Sequence, residues 1–194
     1  MIPTNKLAML SAAVCAVMLA FTYNANADAT LGFLPGDTHV VGTITPANPA
    51  DPGDVVNYIN FMIALPSPGS GTFHPGQVDE NFITRSSNSF GSLPTATNVG
   101  SVSGGGTTVD LNAFGTFTYL FAKYDGQNDI SVVWNITGLT GILTIPGVGP
   151  NGYGLSGWIL FNQTGSPTPD GGVTVMLLGT ALGALGMARR YLKR

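Results

Sequence analysis

Two apolar runs without a single charge, residues 7–21 and 173–188, stand near opposite ends of the 194-residue chain. Any soluble globular unit must therefore form from what lies between them. Residues 1–27 read as a secretory signal. Lys6 and the free amine supply a positive start, and the 15-residue run LAMLSAAVCAVMLAF follows. Ala25-Asn26-Ala27 then puts small residues where a signal peptidase reads, so the cut is expected after Ala27. An uncleaved anchor is the alternative, but the run is shorter than the roughly 20 residues a span needs. The single cysteine, Cys15, falls inside this run. The processed chain would have none, which excludes disulfides and thiol catalysis.

The other end has three parts in order. A turn-forming stretch, Ser166-Pro167-Thr168-Pro169-Asp170-Gly171-Gly172, precedes the apolar run VTVMLLGTALGALGMA, and RRYLKR closes the chain. Sixteen helical residues reach about 24 Å, a little under the ~30 Å hydrocarbon core. Snorkelling of Arg189 and Arg190 extends that reach and leaves Arg189, Arg190, Lys193 and Arg194 as a basic stop on the cytoplasmic side. A buried core helix is the alternative. It would have to place four cations against a segment that has no polar face.

The sequence TPDGGVTVMLLGTALGALGMARRYLKR resembles the PEP-CTERM class of sorting tails, and within it the VPDSG-CTERM variant. The motif falls on Thr168, Pro169, Asp170, Gly171 and Gly172, with Thr in place of the variant's usual Val and Gly171 in place of its Ser. The resemblance implies recognition by an exosortase, a membrane transpeptidase-like enzyme of Gram-negative bacteria. A second stretch, residues 123–162, resembles a block that recurs in short exosortase-sorted proteins of unassigned role. Lys123 to Gly126, Val133-Trp134, Gly138-Leu139 and Tyr153 to Phe161 carry that likeness. It names no activity.

The middle, residues 28–165, is expected to be one all-β domain of β-sandwich or jelly-roll type with one short helix. Short β-branched or aromatic runs at 38–45, 81–85, 107–111, 115–124, 130–136, 141–145 and 155–162 read as strands with turn residues between them. In Thr116–Phe121 the aromatics recur at every second position and should share one face. One stretch breaks the rhythm. Asp51 suits an N-cap, Pro52 the first helical position and Asp54 the first-turn acid, while Val55, Ile59, Met62 and Ile63 recur at helical spacing. The spacing predicts a helix over 52–65. A strand is the alternative, because Ile59, Phe61 and Ile63 also alternate.

Charge decides against one class of partner. Between residues 28 and 168 two cations, Arg85 and Lys123, stand among nine acids, a net of −7. Nucleic-acid binding needs clustered cations and is set aside. No G-x-S-x-G and no phosphate-cradling P-loop occurs. His39 and His74 are the only histidines. A zinc site would need both, with acids such as Asp79 or Glu80. Asp79 and Glu80 are adjacent and so point to opposite faces of a strand, unlike a glycosidase pair. Asp125, Asn128 and Asp129 form the most calcium-like stretch, although a hairpin turn explains them equally and the distal bidentate Glu is missing. Tyr119, Trp134, Tyr153 and Trp158 could offer a sugar-stacking platform or pack the core. The expectation is an exported envelope or matrix protein without catalytic activity or cofactor. Signal peptidase, an exosortase and the membrane are its partners. An exopolysaccharide- or calcium-binding surface module is the alternative.

Overall fold

The computed structural model describes residues 28–46, 51–74, 80–125 and 130–165, together with Gly179. The signal residues Ala25 and Ala27 and the membrane helix expected over 173–188 lie outside the described residues, apart from Gly179. No helix among the described residues is long and apolar enough to cross a membrane.

The chain runs through β1 (Ala29–Thr30), β2 (Val40–Thr45), α1 (Pro52–Ala64), β3 (Gly69–Phe73), β4 (Asn81–Arg85), β5 (Val102–Gly104) and β6 (Thr108–Asp110). It continues through α2 (Leu111–Phe114), β7 (Thr116–Tyr124), β8 (Ile130–Asn135), β9 (Ile142–Thr144) and β10 (Leu155–Gly165). Seven strands pair antiparallel in the order β3-β4-β2-β8-β7-β10-β5. A second sheet, β1-β9-β6, has β1 parallel and β6 antiparallel to β9.

The large sheet is covered on both faces. On one, Val55, Tyr58, Ile59 and Met62 of α1 pack with Val41, Ile44, Ile83, Val133 and Phe161. On the other, Leu31, Val109 and Leu143 around the small sheet pack with Leu120, Val132, Trp134 and Leu160. Two covers explain why β7 is buried along almost its whole length instead of alternating. The all-β domain with a short helix agrees with the sequence pattern. The seven-plus-three division departs from a jelly roll, which is built of two Greek keys in eight strands. It departs because a helix, and not a sheet, closes one face.

Helix α1 forms where the cap and spacing place it. The Asp51 carboxylate accepts from Gly53 N at 2.8 Å and Asp54 N at 2.9 Å. At the other end Arg85 Nη1 donates to the carbonyls of Ile63 and Leu65. A buried cation from β4 thus satisfies two C-terminal carbonyls and opposes the negative end of the helix dipole.

Three strands escaped the sequence reading. β1, β3 and β5 are short or glycine-rich and carry little apolar alternation. The shared aromatic face also needs correction. Tyr119 and Phe121 join the α1 side of the core, whereas Phe117 joins the other. Phe117 stands at the start of β7, directly after α2, and is grouped with Leu111 and Phe114 of that helix on the small-sheet side.

An irregularity in the β2–β8 register, between Val40 and Gly42, puts Val41 on the same face as Ile44, three residues on. Here glycine is obligatory. A Cβ on Gly42 would lie 2.1 Å from Thr84 O and 2.8 Å from Met62 Sδ. Gly42→Ala is therefore expected to lower the unfolding free energy by about 1–3 kcal/mol, the usual cost of overpacking. Gly105→Ala is the control, since a Cβ there meets nothing within 4 Å. Equilibrium urea unfolding of both variants checks the difference.

Candidate functional site

The chemistry-bearing residues of the domain are scattered. His39 meets one acid. Its Nδ1 lies 2.7 Å from Asp37 Oδ1, and Asp37 also accepts from Gly32 N at 2.7 Å and His39 N at 2.8 Å. An Asp–His pair is two-thirds of a nucleophilic triad. Among the described residues no hydroxyl or thiol hydrogen-bonds the ring, and the pair instead closes the 32–39 loop. His74 lies 3.5 Å from Glu80, and both side chains are well exposed. Asp79 lies outside the described residues. The two histidines thus have separate acid partners, and no group of three His, Cys, Asp or Glu suited to a metal occurs among the described residues.

Of the calcium-like stretch only Asp125 is described, while Asn128 and Asp129 lie outside. Asp125 Oδ1 is 3.4 Å from Lys123 Nζ, so a resident cation already faces this carboxylate. Strands β7 and β8 pair antiparallel up to Tyr124 and Ile130 on either side of this stretch.

Of the two readings open for the four aromatics, core packing holds for three. Trp134 is fully buried with Nε1 donating to Gly32 O at 2.9 Å, Tyr119 is buried with its hydroxyl donating to Pro94 O at 2.5 Å, and Trp158 is buried against Phe114. Each ring is held by a two-sided core, because β7, β8 and β10 are interior strands. Tyr153 alone is half-buried. Burial pushes the Tyr119 and Tyr124 phenols well above their ordinary range, so both stay neutral. Two shallow clefts open on the surface. One of about 140 Å³ is apolar, between Phe33, Leu34 and Ile130. The other, of about 280 Å³, lies between Pro52, Ser103, Lys123 and Ser156. Both fall below the roughly 300–1,000 Å³ of a drug-sized ligand site.

What remains is the exit of the chain. β10 runs eleven residues through the sheet interior and ends at Gly165, paired with Thr116 and pinned by the 3.0 Å contact of Thr116 Oγ1 with Thr164 Oγ1. Four residues later the family model for the VPDSG-CTERM motif begins, and it matches residues 169–192. The chain carries a VPDSG-CTERM tail. That tail supports a PEP-CTERM/VPDSG-CTERM protein sorted by an exosortase. The match takes in Pro169, Asp170, Gly171, Gly172, Arg189 and Arg190. Thr168 precedes it, and Lys193 and Arg194 follow it. All of these positions lie outside the described residues. No curated protein and no solved structure matches the chain.

The VPDSG-CTERM tail follows a domain in which one Asp–His pair, Asp37 with His39, is expected to make stability depend on pH. Burial alone would raise the Asp37 carboxyl, but the backbone N–H groups of Gly32 and His39 and the His39 ring outweigh it and hold the carboxyl below its ordinary 3.8. A lowered folded-state value stabilises the fold above 3.8, and that stability is lost as pH falls through the folded value. Asp37→Asn is expected to be less stable than the parent at neutral pH and to lose less stability on acidification below about pH 5. Urea unfolding across a pH series reads both effects, and equal slopes for the two proteins would count against this role of Asp37.

Proposed function

We propose that this chain is a sorted cargo protein: a signal segment exports it, its tail parks it in the inner membrane, and an exosortase processes the tail to deliver the β domain to the cell surface or extracellular matrix. One observation carries the reading, the VPDSG-CTERM match at residues 169–192 directly behind the last strand of the domain. The order of parts supports it. Pro169-Asp170 offers the processing motif, 173–188 the membrane segment, and Arg189, Arg190, Lys193 and Arg194 the cytoplasmic stop. Signal peptidase acts first at Ala25-Asn26-Ala27, and the exosortase acts second.

The delivered domain acts as a structural module, not a catalyst. In support of this, its histidines each meet a single acid, and its large aromatics are spent on the core. Intact-mass analysis of the protein purified from its native host is expected to give an N-terminus at Asp28 and loss of everything after about Asp170. Retention of Arg194 in the exported protein would mean a permanent anchor and overturn processing. A full-length chain from Met1 dissolved in the cytosol would overturn the whole reading.

A further inference from the structure

We infer that one pole of the β domain, where β10 ends and β1 begins, is a membrane-apposed surface that faces the lipid headgroups until the tail is cut. The inference rests on the sorting reading above and adds the orientation of the cargo. Two long-range connections place both exits at this pole. Gly165, the last residue of β10, pairs with Thr116, the first of β7. Thr116 follows α2, whose Phe114 carbonyl accepts from Gln163 Nε2 at 2.9 Å. The chain enters α2 from Asp110, which pairs with Ile142. The Ile142 amide in turn donates to Asp28 Oδ1 at 3.0 Å. Asp28 is the residue next to the expected signal cut. The junctions to both apolar runs are therefore joined through one helical turn, although they lie at opposite ends of the sequence.

Tether length makes the orientation one-sided. Residues 166–172 separate Gly165 from the apolar run. Seven residues span at most about 25 Å fully extended. Strand β7 has nine residues, about 30 Å from pole to pole. The tether is shorter than the sheet is long, so the far pole cannot turn to the bilayer while the tail is inserted.

Charge does not choose between the poles, so the tether carries the orientation. The near pole exposes Thr97, Asn98, Val99, Asn112 and Ile142, with Val99 81% exposed on a turn held by Asn162. Of the seven described acids, Asp51, Asp54, Glu80 and Asp125 lie at the far pole together with Lys123, and Asp28, Asp37 and Asp110 lie toward the near one.

The test uses the full chain with Cys15→Ser and a nitroxide at either Val99→Cys or Val148→Cys, reconstituted in liposomes that carry nickel-chelating headgroups. Val148 is exposed and bridges Gly154 beside the far end of β7. Relaxation enhancement by the nickel lipid is expected to be several-fold greater at position 99 than at 148. Equal enhancement, or more at 148, in chains that float with the liposomes would overturn the orientation and leave the sorting reading standing. Chains that fail to float would overturn both.

Discussion

A sheet buried on both faces is the constraint on which this structure depends. β7, β8 and β10 form its interior, and nearly every side chain of β7 is shielded from water. Such a sheet needs two covers, and the chain supplies two unlike ones: α1 and the small β1-β9-β6 sheet. Burial of this apolar surface is the main favourable term in folding. It also accounts for a chain in which charged residues make up 9% of the total. An interior strand has no solvent side on which to carry them.

Local devices adapt the chain to that demand. The missing side chain at Gly42 lets β4 and Met62 close over β2, and the irregular register there puts Val41 on the same face as Ile44, three residues on. Arg85 ties the end of α1 to β4, the strand next to the sheet edge. The helix cover is thus fixed by a cap at each terminus: Asp51 at the start and a guanidinium borrowed from β4 at the end. Tyr119, Trp134 and Trp158 are taken up by the core, and Asp37 is occupied with backbone amides.

Much of this was legible in the residues. Residues 81–85 read as the strand that forms, and the helix read over 52–65 spans Pro52–Ala64. These signals are local: a cap, a Pro at the first turn, β-branched runs between turns. β3, with the sequence GSGTF, was not legible, because a half-exposed edge strand is held by backbone pairing and needs no apolar pattern. The Phe117 face was misread because period-2 spacing does not show that the short helix before β7 gathers Phe117 to its own side. The sorting tail was legible because its three parts are contiguous and ordered.

By itself the sequence determined the apolar ends, the tail with its Pro169-Asp170 motif and basic stop, the all-β character and the single longer helix. Each of these is written in neighbouring residues or in a short period. Only the tertiary structure decided which aromatics are hidden, which acid each histidine meets, and that Asp28 and Gly165 leave from one pole. Those outcomes depend on pairings between residues as much as 114 positions apart. Non-local contacts of that kind follow from register and layer packing, which no local window of sequence contains.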